Sequence, residues 1–206
     1  ETQNKALTIK STSTKNVSEI LKLLRRFHKI YNERGIIPEI NTNFKRNLFN
    51  TFRSFLNHDK YFLRKLKNNK DKRGTFVELM KTEVGGQFSF STTKPGITRG
   101  NHFHTRKIER FIVLDGKAEI QMRRIDTSKK ITYILDSLET SYVDMPVWYT
   151  HNIKNIGKNE LITAFWINEP YNPNDPDTYF ENTVDSLFCY TKISNKGPKQ
   201  EIKHLW

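Results

Sequence analysis

Gly100-Asn101-His102-Phe103-His104, followed by Glu109 and closed by Gly116, is the stretch whose reading decides the fold. It runs His-x-His, four residues, Glu, six residues, Gly. Further on stand Pro146-Val147-Trp148-Tyr149-Thr150-His151 and then Asn155. On an extended strand, residues two apart point to the same face, so His102 and His104 project together. Glu109 opens the next strand beyond the loop 105–108, and His151 must come from a distant one. Imidazole and carboxylate without thiolate suit zinc, iron, manganese or nickel alike. Three or four protein ligands leave room for a water or a substrate oxygen. One divalent ion on His102, His104, Glu109 and His151 is therefore expected, with zinc as the working choice, and the spacing leaves a structural or a catalytic role open. The competing reading is a set of ordinary polar residues in a β core. Four fitting residue types in order, framed by glycine and proline, argue against it.

Outward from this stretch the chain keeps a period of two. Thr75 to Leu79, Gln87 to Ser91 and Lys117 to Met122 alternate as half-buried strands do, and Leu161 to Ile167 is an apolar strand-like run. Gly85-Gly86, Lys94-Pro95-Gly96, Asp115-Gly116, Asp126-Thr127-Ser128 and Asn155-Ile156-Gly157 punctuate them. Short strands at this spacing predict a sandwich or barrel, and a jelly roll, the double-stranded β-helix, is the natural choice. The fold class is mainly β, preceded by a short α-helical segment. Asn16 and Glu19 have capping-box spacing. Val17, Ile20, Leu21, Leu24 and Phe27 then follow at helical intervals, and Gly35 and Pro38 end that helix. Phe44, Leu48, Phe49, Phe52 and Phe55 predict a second one. The expected divisions are a lead-in over 1–15, helices over 16–70 with a charged linker at their end, the β domain over 71–184, and a basic tail over 185–206.

The net charge of +13 is unevenly spread. Residues 1–70 hold 16 Lys and Arg against 5 Asp and Glu, whereas residues 71–184 hold 15 of each. The basic excess thus belongs to the helical arm, where a solvated face or a docking surface is expected ahead of nucleic-acid binding. A single cysteine, Cys189, permits no internal disulfide and fits a reducing, cytoplasmic setting. No apolar run reaches the roughly 20 residues a membrane helix needs, so no membrane partner is expected. The start, Glu1-Thr2-Gln3-Asn4-Lys5, has neither a signal segment nor an initiator methionine, and the chain is expected to be a piece of something longer.

His102 to Gly116 together with Pro146 to Asn155 resembles the two cupin motifs. The departure is Trp148, where the second motif usually has glycine. Asp71 to Glu78, Lys94 to His102, Tyr149 to Ile153 and Asn168 to Phe180 further resemble the C-terminal domain of bifunctional UDP-sugar epimerase/reductases of polysaccharide synthesis. The likeness covers roughly residues 16–184, with 16–56 similar to the last helices of the reductase domain. It implies a cupin domain that epimerises C3 of a UDP-2-acetamido-2,6-dideoxy-4-hexulose, preceded in the full-length enzyme by a nicotinamide-dependent reductase. No Gly-x-Gly-x-x-Gly occurs in this sequence, so neither NAD(P) nor reductase activity is expected of this chain. Arg73-Gly74 to Glu78 and Arg99 to His102 also look like the metal-free dTDP-4-keto-6-deoxyhexose 3,5-epimerases, in which the residue matching His102 is the base. All four ligand types are kept here, which favours the metal. His102 is central either way, as ligand or as base.

A substrate diphosphate calls for fixed cations, and Arg73, Arg99 and Lys107 are the candidates. Tyr149 either donates a proton or packs beside His151, and Phe103 should point away from the histidines. A homodimer is the default assembly for such a barrel. The rival reading from another class is a non-catalytic cupin that binds or senses a sugar, and a third is a metal-dependent oxygenase.

Overall fold

The computed structural model describes residues 10–183. The basic tail over 185–206, Cys189 within it, and the first nine residues of the lead-in lie outside the described residues. The chain divides into two compact units after Arg64.

In the first unit, α1 (Val17–Phe27) starts at Asn16, whose backbone N–H donates to Glu19 Oε2 at 3.0 Å in a capping box. A turn of π-helix, His28–Glu33, and a two-residue extended step, β1 (Ile36–Ile37), follow. Next come α2 (Asn43–Ser54), capped by the Thr42 hydroxyl, and the single turn α3 (His58–Tyr61). Phe27 meets Phe49 edge-on at 5.1 Å, and Tyr31 meets Phe49 at 5.2 Å, so the two helical patterns share an aromatic cluster. Both helices therefore form where hydrophobic spacing places them.

The second unit holds β2 (Asn68–Asp71), β3 (Gly74–Thr82), β4 (Gln87–Thr93), β5 (Thr98–Phe103), β6 (Glu109–Asp115) and β7 (Lys117–Arg124). The remaining strands are β8 (Lys130–Asp136), β9 (Tyr142–Met145), β10 (Tyr149–Asn155), β11 (Leu161–Ile167) and β12 (Tyr179–Phe180). One sheet runs β3-β4-β11-β6-β9, with β2 paired to β3, and the other runs β12-β5-β10-β7-β8. From β4 to β7, and again from β8 to β12, the chain alternates between the sheets, and every pairing among these strands is antiparallel. This is the jelly roll expected from the sequence, in the cupin form. Phe76, Phe111, Val113 and Phe165 of one sheet pack against Ile120, Met122, Leu135 and Ile153 of the other. Each such side chain contributes about 1.5–3 kcal/mol by leaving water.

Two details depart from the sequence reading. The charged linker's last residues form β2, hairpinned onto β3 with Asp71 opposite Gly74. Asp71 Oδ1 accepts the Arg73 N–H at 2.8 Å, and a Cβ on Gly74 would stand 2.2 Å from the Thr92 carbonyl oxygen, so only glycine closes this turn. The second detail concerns β4, which alternates as expected and turns its polar face inward, a choice the alternation alone left open. Gln87, Ser89, Ser91 and Thr93 are buried, while Phe88 and Phe90 stand half-buried on the other face.

Candidate metal centre and cleft

His102 is the last residue but one of β5, His104 lies just beyond the strand, Glu109 opens β6, and His151 sits in β10. Register brings them together, since the pairing of β5 with β10 sets His102 opposite His151. The strands approach closely there: a Cβ on Gly100 would lie 2.7 Å from the His151 carbonyl oxygen, and φ at that residue is +96°. All four side chains are at most 5% exposed, and one ligand atom from each falls within 4.8 Å of the others. His151 Nε2 lies 2.8 Å and His104 Nε2 3.5 Å from Glu109 Oε2.

The ring nitrogens facing away are fixed by backbone. His104 Nδ1 hydrogen-bonds the Asp177 carbonyl, and His151 Nδ1 hydrogen-bonds the Tyr149 carbonyl at 3.1 Å. A neutral ring that donates from Nδ1 keeps a lone pair on Nε2, the arrangement that metal-binding histidines use. Among the described residues, neither Nε2 nor either Glu109 oxygen makes an aligned hydrogen bond. Burial, reinforced by His151 and His104, holds His102 well below the ordinary imidazole range and so neutral. Burial opposes charge on Glu109 too, but the flanking His104 and His151 outweigh it, and its carboxyl lies well below the usual range. Against the same burial, Glu109 raises His104. An anionic carboxylate and three imidazoles converging in a buried space fit a divalent cation.

The loop between ligands is held from the C-terminal side of the domain. Asp177 Oδ1 accepts from Thr105 N at 3.1 Å and from the Thr105 hydroxyl, while Oδ2 accepts from Arg106 N at 2.9 Å and Lys107 N at 3.1 Å. Asp177 resists burial's upward push through these bonds, and its carboxyl stays below the ordinary range. The sequence marked Asp177 only as part of a resembling stretch and gave it no role. Arg123, also missed, is buried on β7 and ties Glu181 and the Asn182 carbonyl at 2.7 Å each.

Beside the ligands opens a cleft that encloses about 480 Å³ of space outside protein atoms, open solvent at its mouth included. Arg99, His102, His151 and Asn152 form part of its wall, Ser91 and Thr163 another, and Phe76, Phe111 and Phe165 an apolar side. Arg99 donates to Thr93 Oγ1 at 3.0 Å and to the Thr92 carbonyl at 2.9 Å, which fixes its guanidinium at this wall. Burial and then the positive charge of Arg73 lower its pKa, so two guanidiniums press on one another across Asp71, which Arg73 grips at 2.8 Å through Nε. An anion would relieve that repulsion.

Other expected site residues sit differently. Lys107 does not line the cleft: it is 0% exposed, with Nζ donating to the Pro176 carbonyl at 2.5 Å and lying 5.5 Å over the Tyr171 ring. Tyr149 packs against the hydrophobic core and is not part of the cleft wall. Phe103 turns from the histidines, as expected, and stacks between Tyr179 at 5.2 Å and Trp148 at 6.0 Å. Trp148 adopts φ +65°, the left-handed backbone a glycine would take more readily, and its N–H donates to the His104 carbonyl at 2.8 Å. The turn of the second motif is thus kept without glycine.

Residues 69–179 match the family described as the polysaccharide biosynthesis C-terminal domain. The chain belongs to that family. It is 34% identical over 160 residues to the UDP-2-acetamido-2,6-beta-L-arabino-hexul-4-ose reductase of Pseudomonas aeruginosa, covering 77% of this chain and 43% of that protein. The crystal structure of CapF, a capsular polysaccharide assembling protein of Staphylococcus aureus, superposes with a TM-score of 0.72 at 40% identity, over 81% of this chain and 44% of that one. The spore coat polysaccharide biosynthesis protein SpsL of Bacillus subtilis is 23% identical over 125 residues, 56% of this chain and 83% of that protein. The chain thus spans less than half the length of the first two relatives. The family places it in polysaccharide biosynthesis with a cupin fold, and among the described residues no helix is long and apolar enough to cross a membrane.

Proposed function

We propose that this chain catalyses C3 epimerisation of a UDP-2-acetamido-2,6-dideoxy-4-hexulose, as part of nucleotide-sugar synthesis for a polysaccharide. The observation that carries the reading is that Arg99 and His102 line one cleft. A cation suited to a diphosphate and the metal-ligand cluster suited to a keto sugar are thereby offered to the same bound molecule. The C3 proton of a 4-keto sugar is acidic because its loss gives an enolate. Its removal and return from the other face invert the centre. His102, His104, Glu109 and His151 would hold one divalent ion, zinc being the expected one, which when bound supplies Lewis-acid stabilisation of the developing oxygen charge.

Arg99 takes the diphosphate at the cleft wall, and Arg73, which grips Asp71 and lies outside the lining residues, is the second cation for it. Phe76, Phe111 and Phe165 shield the sugar from bulk water. A second reading makes the neutral His102 ring the base, as in the metal-free dTDP-sugar epimerases. The retained Glu109 and the carbonyl-anchored His104 and His151 support the metal-holding arrangement instead. No nicotinamide chemistry is assigned to this chain.

Incubated metal-replete in deuterated water with the UDP-4-keto sugar, the chain should place deuterium at C3, read by mass spectrometry and NMR. His151→Ala should lower both bound metal and exchange by about 100-fold or more, since even residues behind the ligands are worth 10–100-fold. A metal-replete wild type that binds the sugar nucleotide without exchange would make the protein a non-catalytic sugar-binding cupin and sink the epimerase reading.

A further inference from the structure

Thr163 of β11 stands directly opposite Ser91 of β4, and both side chains line the cleft that holds Arg99 and His102. Thr163 is 1% exposed, yet its hydroxyl meets no hydrogen-bond partner among the described residues. An unpartnered buried hydroxyl destabilises a fold, and valine would fill the same space without that penalty. A hydroxyl kept at such a cost, on the wall of the cleft that holds Arg99 and His102, points to a partner on the ligand. The surroundings restrict what that partner is. Two neutral hydroxyls on facing strands suit an uncharged group that can both accept and donate, and Phe111 and Phe165 beside them suit a methyl. Arg99 offers the site for negative charge elsewhere on the wall.

We propose that Thr163, with Ser91 beside it, recognises the 2-acetamido group of the bound sugar, the hydroxyls taking its amide and the phenylalanines its methyl. This rests on the sugar-nucleotide reading above and names the pair that would give it specificity at C2.

The test uses the metal-loaded chain, with UDP-N-acetylglucosamine and UDP-2-deoxyglucose as stable probes in calorimetry. Wild type should prefer the acetamido ligand. Thr163→Val should weaken that ligand about tenfold or more, leave the 2-deoxy ligand unchanged, and keep or raise the thermal midpoint of the ligand-free protein, whereas Thr163→Ser should restore the preference. A fall in the midpoint with unchanged ligand preference would make Thr163 a packing residue and overturn the proposal. So would a wild type without preference, or a Thr163→Val chain that keeps it. Preference for the acetamido ligand without C3 exchange on the keto sugar would break the epimerase reading alone. Exchange with an unaltered Thr163→Val preference would break this inference alone.

Discussion

Strands β4 and β11 pair residue for residue from Gln87 opposite Ile167 to Thr93 opposite Leu161, yet they bury opposite chemistry. Toward the barrel interior β11 turns Leu161, Thr163, Phe165 and Ile167, and β4 turns Gln87, Ser89, Ser91 and Thr93. A polar strand in a barrel interior survives only if its groups find partners. At one end Gln87 accepts the Tyr171 N–H and donates to Ser89 Oγ, both at 3.2 Å. At the other, Thr93 takes Arg99 on its hydroxyl, and its carbonyl takes Asn155 Nδ2 at 2.7 Å. Between them Ser91 faces the cleft, with Thr163 as the single polar residue on the inner face of β11. One strand therefore carries apolar contacts of the core, its neighbour holds a loop and the fixed arginine, and both give residues to the cleft wall. The difference teaches that a polar strand interior is kept here by the protein groups it bonds at each end.

That contrast can be broken by mutation. Phe165 on β11 meets Phe111 at 5.4 Å and stacks on Phe76 at 5.6 Å along the inner face of one sheet. Phe165→Ala should cost about 3–5 kcal/mol in urea unfolding, as other buried aromatic truncations do. A loss under about 1 kcal/mol would mean that β11 does not hold the core. A smaller effect is expected opposite Ile167. Gln87→Leu adds apolar surface to the interior but strands the Tyr171 N–H and the Ser89 hydroxyl, at about 1–3 kcal/mol. Should Gln87→Leu stabilise the protein instead, the polar face of β4 would be tolerated rather than required.

The four residues that could hold a metal were legible because such chemistry admits few residue types and strand periodicity fixes their spacing: His102 and His104 share a face by backbone geometry alone. The jelly roll was legible for a similar reason, from strand length and turn residues. What stayed hidden depended on contacts distant in the chain. Asn68 to Asp71 has no hydrophobic alternation and becomes a strand only because β3 offers an edge. Lys107 looked like a cation for a ligand, but Pro176, far along the chain, encloses it. Asp177 acts through three backbone N–H groups that no side-chain pattern announces. Alternation in β4 revealed the period and left the inward face undetermined, because either face of Gln-Phe-Ser-Phe-Ser could serve.

Phe90 decides that last point most directly, with the smallest expected effect. It pairs with Ala164 and Val77 on neighbouring strands and is half-buried on the outward face. Phe90→Thr introduces a β-branched residue suited to a strand and removes only partly buried apolar surface. It should cost about 1 kcal/mol or less in urea unfolding, because no interior cavity forms. Were the aromatic face the interior one, the same change would open a void in the core and cost about 3–5 kcal/mol. The two arrangements thus differ by several kcal/mol at a single residue, well beyond the error of a denaturation midpoint, with Phe165→Ala as the internal standard for what an inward phenylalanine is worth.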